Sequence, residues 1–225
     1  HSKGLRFCVT AGDEDVVERL RQLGRALFHA EAHLAPRQGY TEVAFHSVAL
    51  AMWWEACGFA KHVPAPDHKG KGYQPHIPDA ILAVNDRQVY QAFLRGLFEA
   101  DGTVVWGVPA FSTAHREFAR EVATLLLALG YPTSAKLDQS ALGAADVHVL
   151  RMRNMSYNEP FLREIGFLGR RKAAALSIKS GPMSGKRDYV FVSEEMIEEL
   201  VPVGSAHRDV VLMSVRRHGG FPRLR

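Results

Sequence analysis

Cysteine is scarce in this chain: two in 225 residues, Cys8 and Cys57. Both stand in apolar stretches, which argues against a disulfide framework or a thiolate zinc site and for reduced core residues of an intracellular, cytoplasmic protein. Long hydrophobic runs are also missing. No stretch approaches the ~20 apolar residues of a membrane span, and no signal-peptide pattern opens the chain, so no membrane partner is expected. The eleven histidines are scattered, and no histidine-based metal site is expected from them. The first residue is His1 and not Met, so the chain is expected to be a piece of a longer protein.

Acid is locally scarce. The net charge is +4 and the pI about 9.2, but the distribution matters more than the total. Between Arg163 and Arg187 there are seven Lys/Arg against one acid, Glu164, and the last ten residues hold four Arg and no acid. Clustering of this kind favours an anionic partner such as nucleic acid.

The 47% hydrophobic content is enough for a sizeable core. An internal repeat organises it. "GLRFCVTAG" is strand-like, "DEDVVERLRQLG" is helical with a stop expected at Gly24, "RALFHAEAHLAPRQGYTEVAFHS" is a hairpin-like pair, and "VALAMWWEACGF" is a short helix. The same order returns as "TVVWGVPAFST", "AHREFAREVATLLLALG", "YPTSAKLDQSALGAADVHVLRMR" and "NEPFLREIGF". A duplicated α+β unit follows. Between the copies, "AKHVPAPDHKGKGYQPHIPDAIL" is Pro/Gly-rich and basic, a connector. Residues 1–84 are expected as the first repeat plus connector, 85–182 as the second repeat, and 183–225 as a basic C-terminal extension.

Only the second copy is preceded by another helix, "AFLRGLFEADG". Its last turn carries Glu99 and Asp101, at the end where exposed carbonyls make a negative pole and a carboxylate costs roughly 0.3–1 kcal/mol relative to a cation. Gly96 and Ala100 stand four apart on one face, a seam that invites a second helix. Two such helix ends side by side would gather carboxylates around a divalent cation, and oxygen ligands shared with phosphate suit Mg²⁺. Metal-assisted phosphodiester hydrolysis is the chemistry this predicts.

"LRGLFEADG", Leu94–Gly102, resembles the LAGLIDADG motif of homing endonucleases, and the order of elements resembles that family's repeat. "HIPDAILAVNDRQVYQAFLRGLFEADGTV" is similar to the version found inside inteins, where Ile-Pro shortly precedes the second motif. The resemblance covers most of residues 4–180. It implies two αββαββα-like repeats, with paired motif helices at the centre and two four-stranded antiparallel sheets forming a saddle over DNA. It further implies that the last motif acid, Asp101, holds Mg²⁺ or Mn²⁺ together with Gly102. Glu99 is then a structural or flanking carboxylate. Lys172 and, in the first repeat, Lys71 (or Lys69) are implied as basic residues near the metal. The first motif helix is not in the chain and is expected from an upstream segment or another chain; splicing signatures are likewise missing.

A saddle of this kind contacts duplex DNA through alternate strand residues in the major groove, where donors and acceptors distinguish all four base pairs. The candidates are Arg6, Thr10, His33, Arg37, Thr41 and His46 in the first repeat. In the second they are Trp106, Ser112, Thr113, Thr133, Lys136, Gln139, His148, Arg151 and Arg153. Sequence leaves open which parity faces the groove, because a slip of one residue flips the face. Phosphate contacts are expected from Lys61, Lys69, Lys71, Arg170, Arg171, Arg216, Arg217 and Arg223. The function expected is an intein-type, metal-dependent DNA endonuclease. Two alternatives stand beside it: a non-catalytic binder on the same fold (an RNA maturase-like protein or a regulator), and a decayed insert of a protein-splicing element.

Overall fold

The computed structural model describes residues 4–59, 75–139, 146–178, 189–190, 194–205, 207–218 and 221–222. The chain divides into two compact units, His1–Lys179 and Ser180–Arg225.

The first unit opens with β1 (Leu5–Thr10), α1 (Glu14–Phe28), β2 (His33–Arg37), β3 (Tyr40–Phe45) and α2 (Val48–Ala56). After α3 (Asp79–Ala83) comes the long amphipathic α4 (Arg87–Ala100). Then follow β4 (Gly102–Val105), β5 (Val108–Thr113), α5 (Arg116–Ala128), β6 (Thr133–Gln139), β7 (Asp146–Met152), α6 (Asn158–Glu164) and the short α7 (Arg170–Ala174). The sheets are antiparallel, with strand orders β1-β3-β2 and β4-β5-β7-β6. Deleting β4 from the second leaves the order of the first, so the duplication extends to strand pairing. Two four-stranded sheets were expected; among the described residues the first has three strands.

Three local expectations are corrected. α1 does not stop at Gly24 but runs one turn further, to a left-handed cap at His29. Gly24 instead lets Phe45 of β3 press against the helix: a Cβ there would lie 2.1 Å from the Phe45 ring. "TVVWGVPAFST" is not one strand but the β4–β5 hairpin, turning at Trp106 (φ 51°) and Gly107 (φ 75°), the paired positive φ of a tight hairpin turn. The cysteines are not core residues: Cys8 is exposed on β1, and Cys57 is partly exposed at the end of α2.

The two cores differ in what α4 supplies. In the second repeat Leu94 and Phe98 of α4 are buried at the centre, with Phe98 packed on Phe111 and Phe161 at ring distances of 6.3 and 5.2 Å. The first core is built on Val9, Val16, Val43, Phe45 and Leu50. Aligning Gly58 with Gly166 sets Trp53 of α2 opposite Phe161; Phe161 is fully buried, whereas Trp53 is 47% exposed. Helix α4 is also bound to its own repeat through its polar side. Arg95 donates to the carbonyls of Ile165 and Glu164 at the end of α6, and Arg87 pairs with Glu164 at 2.7 Å.

The second unit holds β8 (Tyr189–Val190), α8 (Glu194–Leu200), α9 (Arg208–His218) and β9 (Phe221–Pro222). Ile197 and Val215 are buried, and β8 pairs with β9. A strand and an acidic helix were expected over 188–200, ahead of a basic end; β8 and α8 fall in that stretch, and α9 follows.

Candidate active site and nucleic-acid interface

Helix α4 starts on Asp86, whose carboxylate accepts from Gln88 N at 2.6 Å, and ends on Asp101 as its C-cap. The two acids at that end have different fates. Glu99 Oε2 accepts from the backbone amides of Leu168 and Gly169, both at 2.9 Å, at the approach to α7. It is a structural carboxylate. Asp101 is exposed, with no polar partner on its carboxylate among the hydrogen bonds of the described residues. It is therefore the oxygen donor this helix end presents to solvent.

Lys172 of α7 lies beneath it. Its ammonium donates to the carbonyls of Phe98 (3.1 Å) and Glu99 in the last turn of α4 and to that of Gly102 (2.7 Å) at the start of β4. Burial pushes the Lys172 pKa below its ordinary value; the Glu99 carboxylate opposes that shift and Arg171 adds to it. The expectation for Gly102 changes accordingly. Gly102 is buried, its carbonyl is engaged by Lys172, and a Cβ there would meet the Phe98 backbone at 2.5 Å, so close packing accounts for this glycine.

The two arginines before Lys172 fasten the repeats together. Arg171 forms a two-pronged pair with Asp13 (2.7 and 2.8 Å), the buried residue ahead of α1. The Arg171 guanidinium holds the Asp13 carboxyl below its usual range against the opposing effect of burial. Asp15 accepts from the Arg170 amide at 2.7 Å, while the Arg170 side chain stays 92% exposed. Both arginines were expected on DNA phosphates; both are paired with acids here, Arg171 with Asp13 and Arg170, the more exposed of the two, with Asp15 at 3.4 Å. Sequence reasoning missed Asp13 and Asp15, since acids at a helix start are explained by the dipole alone.

Strand register settles the parity. In the second sheet Phe111, Leu150 and Met152 are buried, so the opposite parity carries Thr103, Ala110, Ser112, Val149, Arg151, Ser134 and Lys136 on the outer face. In the first sheet Val9, Val43 and Phe45 face the core, leaving Arg6, Thr10, His33, Arg37 and Glu42 outward. His46 joins them, its ring 5.9 Å from that of His33. Thr41, Thr113, Thr133 and His148 are corrected, because all four have core-side parity. Thr113 in addition accepts from the His115 amide at the start of α5. Several outward cations already have partners: Arg6 pairs with Glu42 at 3.3 Å and Lys136 with Asp138 at 3.2 Å. Arg151 lies over the Trp106 ring, 4.7 Å from its centroid. Arg153 sits just past β7, its amide on Pro132. Arg216 of the second unit pairs with Glu194 at 2.9 Å. Lys61, Lys69, Lys71 and Arg223 lie outside the described residues, as do the side chains of Gln139 and Arg217.

Metal chemistry has a narrow basis in the protein itself. His29 and His33 stand four apart, but one caps α1 and the other opens β2, so they do not share a helix face. Among the described residues no group of three or more His, Cys, Asp or Glu could hold a metal ion. The end of α4 nevertheless favours a cation: it offers a free carboxylate beside carbonyls that already bind an ammonium. Mg²⁺ keeps several waters and is commonly held by one or two carboxylates plus phosphate, and the Asp101 setting fits that mode, not an all-protein cage.

Comparison with known proteins places these observations. Residues 88–166, from α4 to the end of α6, match the LAGLIDADG-like domain. A DNA polymerase from Thermococcus sp. (strain GE8) is 35% identical over 130 residues, and one from Thermococcus hydrothermalis is 33% identical over 148. These matches cover 51% and 59% of this chain but only 7% and 9% of the polymerases, so the chain spans less than a tenth of those relatives. Among solved structures, the homing endonuclease I-DmoI in complex with DNA and Mn aligns with TM-score 0.51 at 15% identity, covering 72% of this chain and 81% of that one. Its complex with DNA and Ca aligns with TM-score 0.51, covering 76% and 82%. No helix among the described residues is long and apolar enough to cross a membrane. The chain carries a LAGLIDADG-like domain and has the fold of the LAGLIDADG homing endonucleases.

Proposed function

We propose that this chain is the endonuclease part of an intein-type homing element, which binds a long DNA duplex along the outer faces of its two sheets and hydrolyses phosphodiester bonds. The observation that carries the reading is the division of labour at the end of α4: Glu99 is consumed by backbone amides, and Asp101 is left exposed. The similarity to a small fraction of much longer polymerases supports an element carried inside a host protein. The DNA and metal complexes of I-DmoI support duplex DNA and a divalent cation as ligands.

Asp101 would hold Mg²⁺ or Mn²⁺, which supplies charge neutralisation at the phosphate and orientation of the attacking water. The Lys172 ammonium adds positive charge beneath the same helix end and stiffens it. The outward residues of both sheets position the duplex, and Arg170 adds an exposed cation for phosphate. Ala92, Gly96 and Ala100 form an open stripe along α4: Ala92 and Ala100 are exposed, and a Cβ at Gly96 would meet nothing within 4 Å. A second motif helix, from another segment or another chain, is the proposed occupant of that stripe and the source of a second acid.

The test is incubation of the longer parent with Mg²⁺ and the uninterrupted insertion site of the host gene. Double-strand cleavage is expected, and Asp101→Asn should abolish it while binding persists. Binding without cleavage by the unaltered protein would sink the nuclease reading. It would instead favour the non-catalytic reading, which has one observation in its support: Lys172 is engaged as a helix cap.

A further inference from the structure

We propose that Arg151 recognises a guanine in the major groove, and that Trp106 is the positioning residue that aims it. The proposal rests on the DNA-binding reading above. Three of the outward cations on these sheets, Arg6, Lys136 and Arg151, are held in two different ways. Arg6 and Lys136 are paired with carboxylates, and each such pair must open before its donors can reach DNA. Arg151 is held by an aromatic face instead, 4.7 Å from the Trp106 centroid, and among the described residues no carboxylate pairs with it. A cation held over an aromatic face is confined without spending its N–H donors on a carboxylate. Arg151 also has small residues as its direct partners across the sheet, Ala110 on β5 and Ser134 on β6. A guanidinium confined in this way, with its N–H fork not engaged by a carboxylate, suits the O6/N7 pair of guanine.

The tryptophan is itself held. Trp106 is 79% exposed and sits at φ 51°, in a turn that a free hairpin would hold loosely. The next residue is clamped: the Gly107 carbonyl accepts from Asn158 Nδ2 at 2.6 Å and from the Ser177 amide at 2.9 Å. Asn158, fully buried, also donates to the Ser177 carbonyl at 2.9 Å. Exposure of the ring combined with anchoring of its backbone is what a positioning residue requires.

The test selects bound duplexes from a randomised library with the full chain, comparing the unaltered protein with Arg151→Ala, Arg151→Lys, Trp106→Ala and Trp106→Phe. All four changes fall on outward or exposed side chains and spare the core. Arg151→Ala should erase a guanine preference of about 5- to 150-fold at one position. Arg151→Lys should bind duplexes without that guanine about as well as the unaltered chain and lose most of the preference, because an ammonium lacks the fork. Trp106→Ala should weaken the preference several-fold at that same position only, Trp106→Phe should restore most of it, and Trp106→Ala combined with Arg151→Ala should equal Arg151→Ala alone. The proposal is overturned if Trp106→Ala lowers affinity evenly for all sequences, if Arg151→Lys keeps the preference, or if Arg151→Ala changes no position. If the unaltered chain binds duplexes without selecting any sequence, the proposal falls while DNA binding stands; if it binds none, the DNA-binding reading falls with it.

Discussion

Replacing Gly96 by Ala tests the open stripe on α4 directly. Gly96 lies in the interior of a 14-residue helix, where glycine is about 1 kcal/mol less favourable than alanine. That cost is ordinarily justified by a close contact, yet a methyl group built at Gly96 meets no atom within 4 Å. The substitution should therefore stabilise the first unit of this chain by about 1 kcal/mol, equivalent to roughly 2–4 °C in Tm for a protein of this size. Thermal unfolding followed by circular dichroism, with the variant and the unaltered chain side by side, measures it. A second motif helix seated on the stripe would reverse the sign, because the same methyl would then hold the two backbones apart. Destabilisation of this chain alone would mean that Gly96 already touches something, and the open-stripe argument would be wrong.

Two further outcomes follow from the anchors around the site. Asp13→Asn removes the charge that Arg171 holds, at a cost of about 1.5–3 kcal/mol. The Asp13 carboxyl is depressed below its ordinary 3.8, so the unfolded chain takes up its proton first as pH falls. The contribution is complete above pH 4 or so and fades as pH drops through the folded value; acid denaturation of Asp13→Asn should be correspondingly flatter, and an unchanged acid limb would count against the pairing. Asn158→Ala strips one of two donors from the Gly107 carbonyl and should lower stability by about 1–3 kcal/mol in a urea titration. It should also weaken the guanine preference attributed to Arg151, and a stability loss with that preference intact would separate the clamp from recognition.

The duplicated order of elements and the amphipathic α4 were legible in the sequence because hydrophobic periodicity is a local signal. What failed depended on partners far along the chain. Gly24 looks like a helix stop until Phe45 of β3, 21 residues later, is placed against it. The choice between Glu99 and Asp101 cannot be made from their spacing, since it is decided by two amides almost 70 residues away. The face of each strand was undetermined for a related reason: Thr113 and Arg151 are both plausible DNA contacts until register sets one toward the helices and the other outward. The first repeat's thinner core also had no local sign, since Trp53 suits a buried helix as well as an open one.

The junction of α4 and α7 constrains how this site can vary. Glu99 and Lys172 have opposite charge and lie close together, the usual appearance of an exchangeable pair. Neither is bonded to the other's side chain: Glu99 accepts from amides at the entrance to α7, and Lys172 donates to carbonyls at the exit of α4. Backbone poles do not change sign when side chains do. Swapping the two residues would thus preserve net charge and still aim an ammonium at amides and a carboxylate at carbonyls. A change at one of these two positions is therefore not offset by the opposite change at the other.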